Sequence, residues 1–151
     1  MIKDQINTDL KAALLSGDKD LANILRVIKS SILYAEVAQN KRDVGLADDE
    51  IVKILAKEAK KRQESADLYA KGNAPDRAAA ELHEKTIIEK YLPAQLSESE
   101  IEELIEQEFA KLEEPAGQKH MGMIIGTVKQ RAGPNVDGST VAMLVKKRLQ
   151  N

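Results

Sequence analysis

Apolar residues return at helical intervals along the whole chain, and no stretch alternates apolar with polar residues long enough to make a half-buried strand. Ile2, Ile6, Leu10 and Leu14 recur every four residues and Gly17 follows, which predicts an amphipathic helix with a glycine stop. Asp18 is placed to cap a second helix through Leu21, Ile24, Leu25, Ile28 and Ile32, running to about Asn40 before the polar stretch "NKRDVGLADD". A third starts at Asp48 or Asp49 and carries Ile51, Ile54, Leu55, Ala59, Ala66 and Tyr69 to Gly72 and Asn73. Pro75 suits the first turn of a fourth, with Ala78, Leu82, Ile87, Ile88, Tyr91 and Leu92 as its apolar set and Pro93 as its end. The expected fold class is all-α.

Composition narrows the core and the chemistry. With three Tyr, one Phe and no Trp, the interior must be built from Leu, Ile, Val and Ala, which suits packed helices better than a sheet. The absence of cysteine excludes disulfides, thiolate catalysis, Cys-ligated zinc and a self-contained glutaminase with a Cys nucleophile. No apolar run is long enough to span a bilayer and "MIKDQINTDL" lacks a signal-peptide core, so a cytoplasmic protein with no membrane partner is expected.

The second part of the chain is organised differently. A boundary is placed after residue 92, giving an N-terminal helical bundle over 1–92 and a small three-helix tail over 93–151. Ser97 and Glu100 have capping-box spacing for a helix with Ile101, Leu104, Ile105, Phe109 and Leu112, ended by "EEPAG". The run "MGMIIGTVKQRAGPNVDGSTVAMLVKKRL" then supplies two helices joined by "GPNVDGS", with Ser139 as the expected cap. Charge is blocked: residues 1–92 hold 16 cations and 16 anions, 93–116 hold Lys111 against eight Glu, and 117–151 hold six cations against Asp137 alone. The last block is a basic patch that a polyanion would find attractive, although no aromatic residue interleaves it for base stacking.

At 100° per residue, Met121, Ile124, Ile125, Val128 and Ala132 share one stripe of the sixth helix, while Gly122, Gly126, Lys129 and Gly133 share another about 110° away. Each glycine inside a helix costs about 1 kcal/mol relative to alanine, so something must profit from bare backbone there. One reading is close packing of the seventh helix, which is apolar at Val141, Leu144, Val145 and Leu149. The other is a phosphate backbone lying along the strip and clamped by Lys119 and Lys129. Lys146, Lys147 and Arg148 end the seventh helix, where the carbonyl end of the dipole favours cations with or without a ligand.

The segments "YLPAQLSESEI" and "MGMIIGTVKQRAGPNVDGSTVAMLVKKRL" make the chain similar to the YqeY family, also called the GatB/YqeY domain family. "KEAKKRQESADLYAKGNAPDRAAAE" and "NILRVIKSSI" fit the family's amino-terminal part, and the spacing of Gly122, Gly126, Asp137 and Gly138 is the most specific element. The resemblance implies an amino-terminal bundle and a tail homologous to the carboxy-terminal domain of the B subunit of tRNA-dependent amidotransferases, a tRNA-binding module. It also implies the carbon–nitrogen ligase activity with glutamine as amido-N donor that this homology has attached to family members. The chain departs from the family pattern at "GNAPDRAAAE", where relatives commonly carry Gly-Arg-x-Asp, and at Lys129 and Gln130.

Amide formation on an acyl-tRNA needs an ammonia source and an activated carboxylate, and the sequence has no Cys, amidase-type Gly/Ser stretch, P-loop or G-x-S-x-G elbow for either. No catalytic residue, metal ligand or cofactor is therefore assigned. His83 and His120 are expected in exposed or hydrogen-bonded structural roles, and Glu102, Glu103, Glu106 and Glu113 on a solvated face. The expected RNA-binding set is Lys119, Gly122, Gly126, Lys129, Arg131, Gly138, Lys146 and Lys147. A secondary set is the stripe Lys53, Lys57, Lys60 and Lys61 on the third helix, with Glu50, Glu58 and Glu64 within pairing distance. Arg26 is expected to form an interhelix ion pair. The function expected is a non-catalytic tRNA-binding adaptor whose partners are tRNA and amidotransferase subunits or an aminoacyl-tRNA synthetase. The alternatives are an accessory component of a glutamine-using carbon–nitrogen ligase and a helical protein scaffold without RNA.

Overall fold

A computed structural model describes residues 1–133 and 136–150 and divides the chain into two compact units, Met1–Pro93 and Ala94–Asn151. Among the described residues there are seven α-helices, one 3-10 turn and no strand, so the protein is all-α.

The N-terminal unit contains α1 (Ile2–Ser16), α2 (Lys19–Ala38), α3 (Asp48–Lys71) and α4 (Pro75–Glu89). Gly17 stops α1 in the left-handed conformation, φ 77°, which glycine adopts without steric cost. Asp18 caps α2 by accepting from the Leu21 N–H. At the start of α3 the capping residue is Ala47, and Glu50 reaches back to accept its N–H at 3.0 Å. The end of α3 departs from expectation: Gly72 keeps a negative φ of −81°, and Asn73, at φ 59°, makes the left-handed turn. Asparagine tolerates that region better than most side chains. The core gathers Ile6, Leu10, Ala22, Leu25, Ile28, Ile32, Ile51, Leu55 and Ile88.

Polar links between elements fasten this unit. Glu36, 1% exposed, accepts from Lys3 Nζ at 2.7 Å and so ties α1 to α2. Tyr91 Oη donates to Asp9 across the unit, and burial together with that acceptor holds the phenol well above its ordinary pKa. Arg62 makes a further interhelix ion pair, set among Glu58, Glu81 and Glu84, with Glu84 at 2.9 Å. Arg26, expected in that role, is exposed and in no ion pair among the described residues, because it lies on the outer side of α2.

The C-terminal unit contains α5 (Glu98–Ala110), a 3-10 turn (Gln118–His120), α6 (Met121–Ala132) and α7 (Gly138–Gln150). The Ser97–Glu100 capping box forms, with the Ser97 N–H donating to Glu100 and the Glu100 N–H to Ser97 Oγ. Its core is separate: Ile101, Ile105, Phe109, Ile124, Val128, Val141, Leu144 and Val145. Pro134 and Asn135, part of the expected "GPNVDGS" turn, lie outside the described residues. At the head of α7 the capping side chain is Asp137 rather than Ser139: its carboxylate accepts from the Ser139 N–H and from the Ser139 and Thr140 hydroxyls. No helix of the described residues is long and apolar enough to cross a membrane.

Candidate nucleic-acid interface

The sixth helix buries Ile124 and Val128 and turns Gly122 and Gly126 outward. A β-carbon built on either glycine would meet no atom within 4 Å, so α7 does not use these positions for close approach. It packs instead through Val141, Leu144 and Val145 onto the core that Ile124 and Val128 share. The strip is open backbone. Gly133 has a different reason to be glycine: it ends α6 at φ 84°.

Lys119 stands in the 3-10 turn before the strip and pairs with Glu114 at 2.8 Å. His120 beside it is buried; its Nδ1 accepts the Gly117 N–H and its Nε2 faces Glu114 at 3.1 Å, so it stitches the α5–α6 connection. Lys119 first and His120 second hold the Glu114 carboxyl below its usual range. Lys129 reaches across to α7, with Nζ 3.1 Å from where a β-carbon on Gly138 would stand. Gly138 thus leaves room for the Lys129 side chain, and any larger residue there would push the ammonium aside.

The remaining expected cations divide. Arg131 turns toward α5, where it donates to Glu108 at 2.9 Å and to Gln107 at 2.7 Å. Glu108, 7% exposed, also accepts from Lys111, and these two cations, Lys111 foremost, keep its carboxyl depressed. Arg148 donates to Glu106 and lies over the Phe109 ring at 5.1 Å. Lys146 and Lys147 are exposed and in no ion pair among the described residues. They are neighbours in sequence yet point about 100° apart. Lys147 lines a cleft of about 660 Å³ between α5 and α7 with Glu102, Glu103, Glu106 and Arg148, and Lys146 does not.

This cleft was not foreseen from sequence, where the α5 carboxylates read as a solvated face; only the pairing of α5 with α7 creates it. The acidic block therefore holds three of the six C-terminal cations, and the C-terminal unit as a whole has seven cations against nine anions.

The lysine stripe of α3 belongs to the N-terminal unit. Lys53, Lys57, Lys60 and Lys61 are all exposed, and Lys61 lies 3.4 Å from Glu58. Glu50 pairs with Lys41 across the loop rather than with a lysine of its own helix. His83 is exposed on α4, and among the described residues no three His, Asp or Glu side chains gather as a metal-binding group.

The family model described as Yqey-like protein matches residues 3–149. The chain belongs to the YqeY family. It is also similar to a curated relative, "Altered inheritance of mitochondria protein 41, mitochondrial" of Meyerozyma guilliermondii, at 28% identity over 130 residues, which cover 85% of this chain and 67% of the relative. The YqeY match runs through both units and includes the glycine strip.

Proposed function

We propose that this YqeY-family chain is a non-catalytic adaptor that binds folded tRNA through α6 of its C-terminal unit. The observation that carries the reading is the open strip of Gly122 and Gly126 beside Lys129. Bare helical backbone lets a sugar–phosphate strand approach more closely than any side chain would, and a bordering ammonium supplies the counter-charge. Lys146 is exposed and in no ion pair among the described residues and is the further cation open to such a contact, whereas Lys119 is held by Glu114 and Arg131 and Lys147 serve the α5 side. A resemblance of the tail to the B subunit of tRNA-dependent amidotransferases supports the same ligand. Recognition by shape and phosphate suits a surface without exposed aromatics.

The test is a filter-binding titration with tRNA at about 50 and 200 mM salt. Affinity is expected to fall as salt rises, and Lys129→Ala is expected to reduce the log–log slope by about 1. Binding that is absent, or that ignores salt, overturns the reading. Two other roles have their own support. Internal pairing of Lys119, Arg131 and Arg148 favours a protein scaffold without RNA, which the same titration separates. Kinship with an amidotransferase subunit favours an accessory part of a carbon–nitrogen ligase using glutamine as amido-N donor, and that role is read as a changed transamidation rate when the chain is added to the enzyme.

A further inference from the structure

The second helix is apolar on two opposite sides. Leu25, Ile28 and Ile32 point into the core, and Val27, Leu33, Tyr34 and Val37 point away from it, exposed at 44, 45, 79 and 57%. An amphipathic surface helix needs one apolar face for its core, so a second group of exposed apolar side chains on the opposite side marks a candidate interaction surface. The stripe also has a register: Val27, Ser30, Tyr34 and Val37 follow the alternating three- and four-residue spacing of a coiled-coil seam.

We propose that this stripe is a self-association surface, on which two copies of the chain pack α2 against α2 in antiparallel orientation about a two-fold axis near Ile32. The pattern is self-complementary in that register. Val27 meets the partner's Val37, so both outer layers are Val on Val. Tyr34 meets the partner's Ser30, so the largest side chain of the seam lies over the smallest. Leu33 meets the partner's Leu33 beside the axis. Of the cations beside the stripe, Arg26 ends about 18 Å and Lys29 about 9 Å from its symmetry mate along the seam at 1.5 Å per residue, and Lys29 lies on the edge of the stripe rather than in the seam. A parallel pairing loses this fit, because it sets Tyr34 on Tyr34 and Ser30 on Ser30. The closed, isologous arrangement stops at a dimer. A seam of about three helical turns lies at the small end of specific interfaces, so association is concentration-dependent.

Sedimentation equilibrium of the full chain from about 1 to 300 μM spans the range expected of such an interface. The weight-average mass is expected to climb from 16.7 kDa toward twice that value, and Tyr34→Asp to hold it at the monomer value with unchanged helical circular dichroism. The register is read separately. The chain contains no cysteine, so Val27→Cys and Val37→Cys chains each carry one thiol. Mixed under mild oxidation they are expected to form a disulfide-linked dimer, and each alone to form far less. A monomer at every concentration overturns the proposal. Cross-linking of either variant alone as efficiently as the mixture overturns the antiparallel register.

Discussion

Gly126 forfeits about 1 kcal/mol of helix stability relative to alanine, and its surroundings return nothing to the folded chain, since no atom stands where a β-carbon would go. Gly126→Ala is therefore expected to raise the melting temperature of the C-terminal unit by about 8 °C, the shift that 1 kcal/mol gives in a domain of about 60 residues. If a phosphate strand lies on the strip, the same substitution weakens tRNA binding. A stability gain coupled to an affinity loss is what a merely tolerated glycine would not show. Unchanged affinity in the stabilised variant would remove the backbone contact from the proposal and leave only the lysines. The cations behave oppositely to the glycines: Lys119, Arg131 and Arg148 are already in ion pairs, so sequence proximity to the strip is a poor guide to availability.

At the scale of the element, helix start and stop signals set most boundaries, and the exceptions have physical causes. The head of α7 is one. Both Asp137 and Ser139 suit a cap, but only Asp137 has a carboxylate that accepts from the Ser139 N–H and from two hydroxyls. Asp137→Ala is expected to cost the C-terminal unit about 1 kcal/mol in thermal denaturation, and Ser139→Ala clearly less. Equal costs would return the cap to Ser139. In α1 the interval of four drifts about 40° per step from the helical repeat, so Leu14 swings out to 50% exposure and Ala13 takes the core position. In α2 the core face was legible, but buried Glu36 was not, because its partner Lys3 lies on another helix. The glycine strip could be read from periodicity alone. The cleft between α5 and α7, with Lys147 on its wall, required knowing which helices meet, and no local spacing records that.

Over the whole molecule, the two cores share no residue: one is built from α1 to α4 with Tyr91 and Leu92 at its edge, the other from α5 to α7. A residue-94 start therefore cuts no core, and a fragment over 94–151 is expected to fold alone, with the marginal stability of a domain of about 60 residues. Its stability should also depend on pH in a definite direction. Glu108 and Glu114 have carboxyls depressed in the folded state, Glu108 chiefly by Lys111 and then Arg131, Glu114 chiefly by Lys119 and then His120. A depressed carboxyl binds fewer protons folded than unfolded, so its contribution is complete above the ordinary carboxylate range and is lost as pH falls from that range through the lower pKa of the folded state. The fragment is thus expected to be helical and cooperative near pH 7 and to lose melting temperature once the pH drops below about 4.5, the ordinary value for Glu. Glu108→Gln should flatten that acid limb by removing one of the two depressed groups. If the fragment is unfolded at neutral pH, the C-terminal unit depends on the N-terminal one. If it folds but its acid limb is the same with and without Glu108, the ion pairs of α5 with Lys111 and Arg131 contribute nothing to its stability.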